Sequence, residues 1–314
     1  MPIDLPAGVT LNQGRGGLSR LSVATDLCTA ELYLHGAHLC RWQPRSQAQP
    51  VLWMSQASRF EAGAPIRGGV PVCFPWFGPK AGDGSAPAHG VARISPWTLD
   101  RADVEPDGTT VVLLSLASNA ATRADGTAVA LPSLASNSAT RALGAPEFAL
   151  AFEIRLGDAL SMALTVANTG LAPLTLEEAL HSYFAVSDVR HVRVDGLAGA
   201  TFIDKTDAGA RKTQEDAAII IGAETDRLYL NTSAAITLTD PGFARRIIVS
   251  KAGSLASVVW NPWIAKSRAM PDFGDDEWPG MICIETANAA DHAITLTPGA
   301  THTMTAAVSV ASLA

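Results

Sequence analysis

The chain has 314 residues, 47% of them hydrophobic, enough to bury a large core. Its formal net charge of −7, with no Lys/Arg cluster, argues against a nucleic-acid partner, because a polyanion demands a basic face. No 18-residue apolar run occurs, and the opening MPIDLPAGVT carries Asp and Pro where a signal peptide has a basic start and an apolar stretch. A soluble, cytoplasmic protein without a membrane partner is therefore expected.

From the N-terminus, short alternating or apolar runs separated by turn signals begin with LSVAT and AELYLHGAHLCRW. Residues 66–93 interrupt them: IRGGVPVCFPWFGP, a short Gly/Ala/Asp/Ser loop, then AHGVAR. Pro71, Pro75 and Pro79 bar a helix here, while Gly68 and Gly69 allow positive φ or a close backbone approach to a ligand. The segment carries Arg67, His89 and Arg93 among aromatic residues. Guanidinium groups are planar, permanently charged forks suited to phosphate or carboxylate. Two of them beside rings suggest a small anionic ligand with a body that stacks, and a sugar phosphate fits that description.

TVVLLSLAS follows, and then a direct repeat: LASNAATRA at 116–124 recurs as LASNSATRA at 134–142. Two copies are too few for a solenoid, so residues 116–145 read as a duplicated loop insertion. Between 148 and 167, Phe148, Leu150, Phe152, Ile154 and Leu156 alternate up to Gly157-Asp158, and Leu160, Met162, Leu164 and Val166 alternate after it, predicting a β-hairpin with a Gly-Asp turn. LTLEEAL predicts a strand leading to HSYF, whose His181 can exchange a proton near neutral pH. HVRVDGL, AAITLTD, RRIIVSK, SVVWNPW, HAITLTPG and HTMTAAVSV continue the strand pattern. In MICIETAN, residues 281–284 predict a buried strand with Glu285 directly after its end, partly desolvated and with a raised pKa. Together these elements predict an all-β fold, a large antiparallel β-sandwich with its site in a groove on a concave sheet face. Cys28, Cys40, Cys73 and Cys283 show no CxxC spacing and read as buried free thiols of a reducing compartment.

The motifs RGGVPVCFPWFG, HGVAR, HSYF, ETDRLY and WNPW followed by ICIETAN occur in an order that resembles the glucose-6-phosphate 1-epimerases, the hexose-6-phosphate mutarotase branch of the galactose-mutarotase-like proteins. The resemblance spans about residues 34–307, nearly the whole chain, and implies one supersandwich domain over 1–314. It implies a catalytic His in the H-[ST]-Y motif, His181, and a catalytic Glu, Glu285. It further implies substrate contacts from Arg67, Arg93 and Asp226; His89, beside them in the sequence, reads as a further contact to sugar or phosphate or as a histidine that orients its loop. Relatives often carry Gln just before the His-Gly pair; Ala88 stands there in this chain, which bears on sugar specificity.

The chemistry of anomer exchange asks for what these residues supply. Deprotonating the anomeric hydroxyl and protonating the ring oxygen opens the ring, and closure on the other carbonyl face completes the exchange. One base and one acid suffice, each contributing about 10² to 10⁴ in rate. No cofactor or metal is required, and no HxH or HExxH spacing accompanies a conceivable His89, His181 and Glu285 metal set. A small-molecule hexose phosphate is the expected partner and a monomer the expected state. A mutarotase of unphosphorylated aldoses and a non-catalytic carbohydrate-binding module are the alternatives.

Overall fold

The computed structural model describes residues 4–116 and 146–313, so the duplicated insertion lies, apart from its first residue, outside the described residues. Strands dominate because the sequence alternates. Leu160–Asn168 buries Leu160, Met162, Leu164 and Val166 while the residues between them are partly exposed, the period-two signature of a strand with one face in a core.

Two large antiparallel sheets carry the structure. A nine-stranded sheet runs Ala218–Ile219, Arg193–Asp195, Ile236–Asp240, Arg245–Ala252, Thr301–Ser312, Leu160–Asn168, Phe148–Leu156, Thr110–Leu116 and Thr98–Val104. An eight-stranded sheet orders Ala210–Thr213, Thr201–Asp204, Thr225–Tyr229, Ala256–Asn261, Met281–Asn288, Glu178–Leu180 and Val72–Cys73, with Tyr183–Ala185 also paired to Met281–Asn288. Their inner faces share one hydrophobic core that includes Phe148, Phe152, Leu164 and Val308 of the first sheet and Leu180, Val259, Ile282 and Ile284 of the second. A four-stranded sheet, Val9–Gln13 through His38–Pro44, packs into the same core with Leu21, Leu32 and Trp42. The predicted antiparallel sandwich is thus the observed one. No helix among the described residues is long and apolar enough to cross a membrane.

Local expectations fare unequally. The hairpin at 148–168 is present, but Leu156 pairs with Leu160, so its turn holds three residues, with the Gly157 amide bonded to the Ala159 carbonyl at 3.0 Å. LTLEEAL is two strands, not one: Leu174–Leu176 pairs with Ile294–Leu296 in a separate ribbon, and Glu178–Leu180 enters the eight-stranded sheet. Glu285 does not follow a strand end. Its strand continues to Asn288 because Ala256 and Ser257 on one side and Glu178, Ala179 and Leu180 on the other still supply ladder partners. SVVWNPW turns after Asn261 into the short helix Trp263–Ala269. All four cysteines are free and buried.

Candidate active site

Strand Met281–Asn288 is buried along its whole length and bonds to three other strands. Period two puts Ile282 and Ile284 on the face toward the main core and Cys283 and Glu285 on the opposite face, though the Cys283 side chain also packs with residues of that core. His181 lies in the link between Glu178–Leu180 and Tyr183–Ala185, both of which pair with that strand. The Gly/Pro-rich loop fixes this link: Pro71 accepts the His181 amide at 3.0 Å and Gly69 accepts that of Tyr183 at 2.9 Å. Gly68 and Gly69 do have positive φ, 110° and 58°, and what they approach is the chain itself. A Cβ would stand 2.5 Å from the Trp53 carbonyl oxygen or 2.3 Å from that of Leu39.

His181 Nε2 comes to 3.3 Å from Glu285 Oε1. The imidazole stacks on the Tyr183 ring, centroids 4.8 Å apart and planes within 10°, and the Trp260 edge meets it at 6.0 Å. Glu285 is 1% exposed, and burial drives its pKa well above the usual carboxylate range against the pull of Lys205 and Arg93. Burial, helped by the charges of Arg67 and Arg93, drives His181 well below the usual imidazole range. Burial thus pushes both groups toward their uncharged forms, a protonated carboxyl beside a neutral imidazole.

The other sequence-predicted residues meet at the same cavity, of about 300 Å³, which His181 and Glu285 also line. His89 accepts the Gly78 amide at Nδ1, 3.3 Å away, so its neutral ring carries hydrogen on Nε2; the ring also lies edge-on to His181 at 5.6 Å. Asp226, on Thr225–Tyr229, sits between Lys205 Nζ at 4.0 Å and Lys266 Nζ at 3.9 Å, and burial raises its pKa despite both cations. The two arginines differ. Arg67 is already engaged, with Nε and Nη2 on Asp272 at 3.1 to 3.2 Å and Nη1 donating to the Tyr183 hydroxyl at 3.0 Å. Arg93, 9% exposed, donates Nη2 to the Ala88 carbonyl at 2.7 Å, and its buried Nε has no partner. Ala88 thus contributes its backbone carbonyl to the site.

Sequence reasoning missed Lys205, Lys266, Trp260, Asp272 and Tyr183. Tyr183 was recoverable, since in HSY it lies two residues from His181, the spacing that puts both side chains on one side of an extended segment. Asp272 follows the short helix and reaches Arg67 across 205 residues of sequence, a distance no local pattern spans. The metal set considered from the sequence, His89 with His181 and Glu285, is not the grouping that forms. His181, Cys283 and Glu285 bring their donor atoms together instead.

The sequence profile of the family described as aldose 1-epimerase matches residues 19–309. The chain belongs to the aldose 1-epimerase family. Members of this isomerase family supply its relatives: proteins with the provisional name glucose-6-phosphate 1-epimerase from Escherichia coli K12, 36% identical over 83% of this chain and 80% of theirs, and from Cenchrus ciliaris, 33% identical over 87% and 78%. The crystal structure of a provisionally assigned mutarotase, YeaD, from Salmonella typhimurium superposes with a TM-score of 0.85 at 30% identity, covering 99% of this chain and 97% of that one. A galactose mutarotase-like protein from Clostridium acetobutylicum, 13% identical with a TM-score of 0.68, covers 97% of this chain and 98% of its own and shares the fold.

Proposed function

We propose that the protein interconverts the α and β anomers of glucose 6-phosphate, with Glu285 and His181 as the proton-transfer pair. The observation that carries this reading is the 3.3 Å approach of His181 Nε2 to Glu285 Oε1 at the wall of a cavity that also holds Arg93, His89 and Asp226. An anomeric carbon bears two oxygens, the ring oxygen and the hydroxyl, and two adjacent groups sharing one proton can serve both. In the Glu285 carboxylate and His181 imidazolium form, Glu285 takes the hydroxyl proton while His181 protonates the ring oxygen. The C–O ring bond breaks, the aldehyde forms, and the pair is left as carboxyl and neutral imidazole, the form that burial favours. After the carbonyl rotates, the two transfers reverse and the ring closes on the opposite face. No net proton is lost.

Asp226 accepts hydrogen bonds from sugar hydroxyls, and the His89 Nε2 hydrogen donates to a sugar or phosphate oxygen. The phosphate lies against Arg93, whose Nε has no other partner, with Arg67 held rigidly beside it by Asp272. Binding energy from this distal anion fixes the reacting end. The provisional name shared by the relatives from Escherichia coli, Salmonella typhimurium and Cenchrus ciliaris supports the phosphorylated substrate. The deciding experiment is polarimetric anomerisation of glucose 6-phosphate beside free glucose and galactose. Equal kcat/KM for all three would replace this reading with a mutarotase of unphosphorylated aldoses.

A further inference from the structure

Strand periodicity adds a third donor to the proton-transfer pair. Cys283 stands two residues before Glu285, on the same strand face, and its register partner Tyr183 stacks on His181. Donor atoms of His181, Cys283 and Glu285, all buried, lie within 4.8 Å of one another. Glu285 Oε2 and His181 Nδ1 have no hydrogen-bond partner. Bonds of about 2.0 to 2.3 Å in a tetrahedral zinc site separate the donors by roughly 3.3 to 3.8 Å. The imidazole and carboxylate are already 3.3 Å apart, so the thiol closes the set with a shift of at most about 1.5 Å.

We propose that His181, Cys283 and Glu285 form an inhibitory site for a thiophilic divalent cation, zinc in type, with water at the fourth position. On binding, the Cys283 thiol and the Glu285 carboxyl each release a proton to solvent, and thiolate plus carboxylate neutralise the dication, so no net charge is added beside Arg93. The sulfur selects against Mg²⁺ and Ca²⁺, which take oxygen ligands. That the ion inhibits rests on the proposed function: it occupies the nitrogen and carboxylate that move the protons, so metal and sugar phosphate exclude each other.

The full-length protein, freed of metal by chelation, should develop a thiolate-to-cobalt charge-transfer band with Co²⁺, and Zn²⁺ should abolish the band by displacing the cobalt. Zn²⁺ should also inhibit anomerisation competitively with sugar phosphate and release it on chelation. Cys283→Ser and Cys283→Ala should lose the band and weaken inhibition at least about tenfold, each against its own metal-free rate. Cys73→Ser should keep both. A wild-type protein without the band, or a Cys283 variant that retains it, overturns the site. The cobalt spectrum needs no turnover, so it decides the site even if the proposed reaction fails.

Discussion

Arg93→Met separates recognition of the anion from support of the fold, because the two effects have opposite signs. The guanidinium is 9% exposed, burial lowers its pKa, and it makes one hydrogen bond, to the Ala88 carbonyl, with Nε unpartnered. A buried cation so poorly matched costs the folded state, and an apolar side chain of similar length removes that cost. Stability in urea should stay the same or rise. With substrate bound, the same cation is expected to bond the phosphate, and hydrogen bonds to charged groups contribute about 1.5 to 3 kcal/mol, roughly 10-fold to 150-fold. Polarimetry should therefore show kcat/KM for glucose 6-phosphate falling by that factor while free glucose changes far less. Arg93→Lys should recover only part, since the ammonium restores charge without the fork. An unchanged ratio of phosphorylated to free sugar, in a variant of undiminished stability, would refute the placement of the anion at Arg93.

Glu285→Gln and His181→Asn should each lower catalysed anomerisation at least about 10² while sugar-phosphate binding, followed by calorimetry, stays within a few-fold; near wild-type turnover would remove the residue from the reaction. The pH profile should be a bell. Its acid limb, where His181 gains a second proton for the pair, should lie below the usual imidazole range, and its alkaline limb, where Glu285 loses the only proton, well above the usual carboxylate range. Asp272→Asn should cost about 2 to 3 kcal/mol in urea unfolding, because it leaves the Arg67 guanidinium partly buried without its carboxylate; a variant as stable as wild type would show that the pair contributes nothing. Prolonged EDTA treatment should leave activity intact, and activity that required one added divalent ion would contradict a reaction run by proton transfer alone.

The sandwich was legible because strand alternation is a local property, written plainly from Phe148 to Val166. His181, Glu285, Arg67, His89, Arg93 and Asp226 were recoverable because short motifs carry them, and all six line one cavity. Their relations were not. Nothing local shows that Arg67 is taken by Asp272 while Arg93 bonds only the Ala88 carbonyl, since the difference is made by the segment after helix Trp263–Ala269 folding back over the Gly/Pro loop. Lys205 and Lys266 arrive from separate elements on either side of Asp226, with only a tertiary logic. The placement of Glu285 failed for a related reason. A carboxylate reads as the end of an apolar run, yet here it is the one charged residue in an eight-residue buried strand whose ladder runs past it on both sides.

That placement divides labour within the molecule. The carboxylate sits on a central strand of the framework, whereas the other charged groups around the cavity come largely from connecting segments: Arg67, His89 and Arg93 from the Gly/Pro stretch, Lys205 from the turn after Thr201–Asp204, and Lys266 from the short helix. Such segments tolerate sequence drift far better than a central strand does. A lineage with this architecture can reshape the cavity by editing its connections, while the central strand keeps the buried carboxylate in place.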